Sequence, residues 1–120
     1  MTCLTFRKRS RANMWYINFR TDNDGCWSLV GMEPLGPQDL NIGPGCEHTS
    51  VVIHEIGHAI GFFHEQSRLD RDRSILILWE NVPRDKAPQF AHAYENSRGV
   101  PYDVTSIMQY SQGVRLRWHT

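Results

Sequence analysis

The chain has 120 residues, 40% of them hydrophobic, which is enough for one domain with a modest core. Thirteen basic side chains balance thirteen acidic ones, so the net basic face expected of a nucleic-acid binder is absent. The longest apolar run, Ile75 to Trp79, has five residues against the roughly 20 that a membrane span needs.

The first thirteen residues, MTCLTFRKRSRAN, contain no apolar h-region and do not read as a signal peptide. The basic run Arg7-Lys8-Arg9 with Arg11 reads as a solvated strand end or loop rather than a polyanion site. Residues 3–7, 14–19 and 27–32 are short, β-branched or aromatic, and bounded by turn formers such as TDNDG, and they are predicted as strands. Residues 33–45 hold three prolines and three glycines and are predicted as a loop, with room for a short strand around Leu40–Ile42. A helix is expected from about Val51, with Thr49 or Ser50 as its N-cap. Val52, Ile56, Ala59, Ile60 and Phe63 form its expected buried stripe, and Gly61 supplies a left-handed residue to end it. Beyond it, residues 75–79 are expected to be extended and KAPQFAHAY to give a short helix after Pro88. Gly99-Val100-Pro101 then breaks the chain again. Trp15 and Trp79 are expected in the core.

The helical segment also carries chemistry. Residues four apart share one helix face, so His54 and His58 can point at a single ion. Gly61 lets the chain turn, and His64 can swing back as a third ligand, which matches the three protein ligands plus water of catalytic zinc sites. Glu55 lies about 100° round the helix from His54. It stands beside the metal without being a ligand, a position suited to a general base acting on water. The whole pattern is H-E-x-x-H-x-x-G-x-x-H, the spacing of metzincin zinc proteases. At this chain's own residue frequencies chance gives it in about 5 × 10⁻⁷ of windows, so coincidence is no competitor.

The segment HEIGHAIGFFHEQSRLDRD, the downstream SIMQY at 106–110 and the upstream GCWSLVG together resemble the astacin family, in order from Cys3 to about Ser111. The resemblance implies an α+β fold: a twisted mixed sheet with the zinc helix packed on it, above an irregular lower subdomain. The upper part would run over about 1–61 and the start of the lower over about 62–120. It further implies one Zn2+ per chain on His54, His58 and His64, with Tyr110 as an extra ligand that leaves the metal during turnover and hydrogen-bonds the oxyanion. Glu55 would activate the water, Met108 of the SIMQY turn would form an apolar floor, and Gly61 would support the turn to His64. Cys26 and Cys46 would form a disulfide, and Cys3 would pair with a cysteine that does not occur in this sequence. A peptide or protein substrate would lie antiparallel along the strand that begins CWSLVG, with Trp27 and Leu29 lining the groove. Glu65 resembles a glutamate that in mature members meets the N-terminal amine. The implied setting is secreted or extracellular.

The sequence also departs from the family. Gln109 stands where His is usual, and GVRLRWHT does not resemble the family's continuation. Family members carry a signal peptide and a pro-segment ahead of a longer catalytic domain, so this chain is expected to be an incomplete catalytic domain. Two functions follow: a zinc-dependent endopeptidase, or a truncated, non-catalytic zinc-binding fragment of one. His48, His92 and His119 fall outside the motif and read as ordinary histidines.

Overall fold

A computed structural model describes residues 3–93, 97 and 99–111. Its sheet has three strands, β1 (Ile17–Arg20), β2 (Cys26–Ser28) and β3 (Gln38–Ile42), in the order β1-β3-β2. β1 runs parallel to β3, placing Phe19 opposite Leu40, and β2 runs antiparallel to it, placing Trp27 opposite Asn41. The sheet is therefore mixed, and with one helix the chain is α+β.

The middle strand came out of the stretch predicted as a loop, and its composition explains why. In QDLNI the fully buried pair is Leu40 and Asn41, and Gln38 is 5% exposed. The buried amides are engaged with loop backbone. Asn41 Nδ2 donates to the carbonyls of Asn23 and Gly25 at 2.8 Å each. Gln38 Nε2 donates to Leu29 O at 3.0 Å, and its Oε1 accepts from Glu33 N at 3.1 Å. Polar side chains thus fix the loops on either side of a central strand, and a hydrophobicity count does not see them. Next to it, Gly43 has no room for a side chain, since a Cβ there would fall 2.3 Å from Asn23 O.

The other two strand expectations shift. The 14–19 strand begins at Ile17 and ends at Arg20, and the 27–32 strand spans only Cys26–Ser28. Residues 3–7 form no strand and are exposed. A β-prone sequence becomes a strand only against a partner ladder, and β3 already pairs on both sides with β1 and β2. Trp15 and Trp79 are 52% and 51% exposed, half on the surface rather than in the core. A disulfide joins Cys26, at the start of β2, to Cys46, with Cα atoms 5.8 Å apart, and Cys3 is a free, exposed thiol.

Helix α1 (Thr49–Ala59) packs on β2 and β3. His48, not Thr49 or Ser50, is its N-cap, with extended φ and ψ of −70° and 134° and no side-chain cap. The buried face carries Val51, Glu55, Gly57, His58 and Ala59, while Ile60 and Phe63 are exposed. The apolar stripe is thus rotated from the expected one, because the functional side chains occupy the inner face. The helix ends in a Schellman motif: Phe62 N–H donates to Gly57 O at 3.0 Å and Gly61 N–H to His58 O at 2.8 Å. Gly61 is the left-handed residue, with φ 104°.

After it the described chain is irregular, punctuated by 3-10 turns at Glu65–Ser67, Arg71–Arg73, Trp79–Asn81 and Ala87–Phe90. Residues 75–78 join no ladder, and the expected helix after Pro88 is the Ala87–Phe90 turn, while Tyr94 lies outside the described residues. Two buried arginines organise this half in place of a hydrophobic core. Arg68, 5% exposed, donates to Glu65 Oε1, to both oxygens of Asp70 and to Val100 O, each at 2.9 Å, and to Pro101 O at 3.3 Å. Arg71, also 5% exposed, donates to the carbonyls of Gln66 and Phe90.

Candidate metal centre

Two histidines one turn apart on α1 and a third just past the Schellman turn meet at their ring tips. His64 Nε2 lies 3.2 Å from His54 Nε2 and 3.2 Å from His58 Nε2. The other ring nitrogens settle the tautomers. His54 Nδ1 is 2.8 Å from Ile107 O and His58 Nδ1 is 2.8 Å from Phe62 O. A carbonyl only accepts, so each Nδ1 carries the proton and each Nε2 presents a lone pair. Burial, then the neighbouring His58 and His54, push His64 down to about 3, and burial lowers His58 as well. These two rings are thus neutral near pH 7.

Converging lone pairs repel one another unless a cation sits between them. Tetrahedral zinc with nitrogens at 2.0–2.1 Å holds them about 3.3 Å apart, close to the spacing found. Backbone carbonyls that fix the far nitrogen are the usual outer support of metal-ligating imidazoles. The three side chains fit a metal ion.

Glu55 lies on the same helix, 3% exposed, and its Oε2 has no hydrogen-bond partner among the described residues. Burial raises its carboxyl to about 7. Glu55 and the three histidines line a cavity of about 540 Å³, closed on other sides by Trp27, Ser28 and Val30 and by Phe63, Ile107 and Tyr110. Leu29 is not in this lining and is 51% exposed; Val30 stands there instead. Tyr110 has its ring 4.6 Å from that of His64, and its hydroxyl reaches Gln89 Oε1 at 3.4 Å. Burial, then Glu55, raise its phenol above the ordinary value, so it keeps its proton at neutral pH. Met108, 4% exposed, lies under the helix at Gly57. Glu65 accepts from Arg68 and from Asp103 N–H, tying the loop before the SIMQY turn to the residue after His64.

Sequence reasoning missed Gly57, Gln66 and Val30. Gly57 had a signal, since a glycine inside a helix is unfavourable unless something approaches closely. Gln66 had none.

The chain matches the family model Astacin (Peptidase family M12A) over residues 1–115. It belongs to the astacin family. Among curated relatives, the zinc metalloproteinase dpy-31 of Caenorhabditis elegans is 44% identical over 114 residues, covering 92% of this chain and 19% of the relative. Blastula protease 10 of Paracentrotus lividus is 44% identical over 119 residues, covering 91% of this chain and 20% of the relative. Among solved structures, high choriolytic enzyme 1 of Oryzias latipes, a hatching-enzyme zinc protease, superposes with a TM-score of 0.83 at 38% identity. That match covers 91% of this chain and 54% of the other. The chain thus spans about a fifth of the length of these curated relatives. As in other astacins the cofactor is zinc, and three histidines stand where one ion is held. No helix among the described residues is long and apolar enough to cross a membrane.

Proposed function

We propose that this astacin chain is a zinc-dependent endopeptidase in which His54, His58 and His64 hold the metal and Glu55 is the general base. One observation carries the reading. Three imidazole Nε2 atoms converge beside a buried carboxyl group with an oxygen that has no hydrogen-bond partner among the described residues, and all four side chains line one cavity. Zinc bound there supplies Lewis-acid chemistry, polarising a carbonyl and making water more acidic.

The chain's own residues do the rest. Glu55, buried beside the three histidines with an oxygen that has no hydrogen-bond partner among the described residues, takes a proton from the attacking water and hands it to the leaving amine nitrogen. Tyr110, whose ring borders the same cavity, donates its phenolic hydrogen to the carbonyl oxygen as that atom gains charge. A peptide pairs with the free edge of β2, where Trp27 and Ser28 border the cavity. The Cys26–Cys46 disulfide supports an oxidising, extracellular setting.

A second reading, zinc held without turnover, is favoured by the exposure of Leu35, Leu76 and Met32 at 93%, 84% and 75%. Hydrolysis of a denatured protein, abolished by a chelator and restored by zinc, separates the two. In the active protein Glu55→Gln is expected to keep its zinc and to lose ~10²–10⁴-fold in kcat. Zinc lost in step with activity would show that Glu55 is a ligand instead.

A further inference from the structure

Tyr110 lies outside every described helix and strand, yet both polar groups of its backbone are engaged. Its N–H donates to Gln66 Oε1 at 3.1 Å, and its carbonyl accepts from Gln109 Nε2 at 3.0 Å. The orientation of each side-chain amide is forced, because an N–H only donates and a carbonyl only accepts. Two glutamines therefore do for this residue what a helix or ladder would normally do.

Both are themselves anchored. Gln66 is 1% exposed, its own carbonyl accepts from buried Arg71 at 2.9 Å, and the preceding Glu65 N–H holds Met108 O at 2.9 Å. Gln109 Oε1 accepts from the Tyr102 hydroxyl at 2.5 Å. The clamp thus connects the segment that follows His64 to the residue whose ring lies 4.6 Å from the His64 ring.

The glutamine at position 66 is partnered through one of its two amide atoms only. Its Nε2 has no hydrogen-bond partner among the described residues, and a buried donor without one is destabilising. An apolar side chain of the same length would avoid that cost. What it would lose is the acceptor for Tyr110.

We infer that Gln66 and Gln109 are positioning residues that act on the reaction through Tyr110, by fixing where its peptide, and hence its phenol, stands. The inference rests on the proposed role of Tyr110 as hydrogen-bond donor to the substrate oxygen. A phenol displaced by about 1 Å loses alignment worth up to ~10²-fold in rate.

The test is a double-mutant cycle on the zinc-loaded full chain. Gln66→Met should lower kcat roughly tenfold or more, with KM and zinc content unchanged. In a Tyr110→Phe background the same change should alter kcat less than twofold, because no phenol is left to misplace. Gln66→Glu, which keeps an acceptor oxygen, should recover part of the loss. A second readout needs no turnover: with copper(II) in place of zinc, Tyr110, the extra ligand implied by the resemblance, loses its proton on reaching the metal, and the phenolate gives a visible charge-transfer band. Gln66→Met should weaken or shift it at equal copper content. An equal loss of kcat in both backgrounds, or an unchanged band, overturns the inference and leaves Gln66 a packing residue. If Tyr110→Phe alone leaves kcat intact, the role of Tyr110 falls and this inference with it. Should Gln66→Met fail to fold, Gln109→Leu runs the same cycle from the carbonyl side.

Discussion

The sulfur of Met108 occupies the place where any side chain on Gly57 would go: a Cβ built there falls 2.6 Å from Met108 Sδ. Gly57 stands between Ile56 and His58, at the point where the helix rests on the floor. Alanine is favoured over glycine in a helix interior by ~1 kcal/mol. Here the gain is outweighed by overpacking, and Gly57→Ala is expected to destabilise the chain by ~1–2 kcal/mol. In a Met108→Ala background the sign should reverse, with Gly57→Ala stabilising by roughly 0.5–1 kcal/mol. Urea unfolding of the four proteins decides it; stabilisation in both backgrounds would show that the contact is loose.

A pH dependence follows from Glu55 in protein stripped of metal. Its carboxyl is raised by burial to about 7, so the folded chain keeps a proton that the unfolded chain has released. Stability from this group is complete below the ordinary value of 4.5 and is lost as pH rises through about 7. Comparing Glu55→Gln with the parent removes the histidine contribution, which both proteins share. The parent should lose stability relative to the variant between pH 5 and pH 8. Parallel curves would mean that the carboxylate is well solvated.

Arg68 is expected to be the most costly substitution in the irregular half. Its guanidinium serves Glu65, Asp70 and two carbonyls from a nearly buried position. Arg68→Met leaves the partly buried Glu65 without its cation and should cost ~3 kcal/mol. Arg68→Lys keeps the charge but not the planar fork, and should recover only part of the loss. Because Glu65 also anchors Asp103 and Met108, zinc affinity should weaken with stability. Full stability in the lysine variant would reduce this cluster to simple charge pairing.

The disulfide can be tested by reduction or by joint replacement of Cys26 and Cys46 with serine. Closing a loop over a separation of 20 residues is worth about 3 kcal/mol in the chain-entropy model. Since β2 borders the cavity, KM should rise as well. Folded, unreduced protein should show a single reactive thiol, Cys3. Two or three titrating thiols, or unchanged stability on reduction, would count against the bridge as a brace.

The metal site was far more legible in the sequence than the framework around it. His54, His58 and His64 are found at fixed spacing because an ion demands nitrogen donors at set distances, and a helix followed by a glycine turn meets that demand with local residues. The glycine at 61 was readable for the same reason. Strand β3 was only half legible, as room for a short strand around Leu40–Ile42, because Gln38 and Asn41 are buried for their hydrogen bonds, not for their hydrophobicity. Residues 3–7 misled in the opposite direction, having strand-forming side chains but pairing with no strand. The clamp on Tyr110 could not be read at all. It joins Gln66 to a residue 44 positions away, a pairing that no spacing within either segment indicates.

The bond that orients His54 reaches 53 residues forward, to the carbonyl of Ile107. On a ribosome adding ~5–20 residues per second, roughly 3 to 10 s separate the appearance of that histidine from that of its support. The nascent chain can therefore orient His58, through the nearby Phe62 carbonyl, well before it can orient His54. Maturation of the centre is accordingly expected to wait for Ile107 rather than for helix formation alone. Stalled chains ending shortly before Ile107 should hold zinc more weakly than chains ending just after Tyr110, and equal affinity in the two would place maturation earlier.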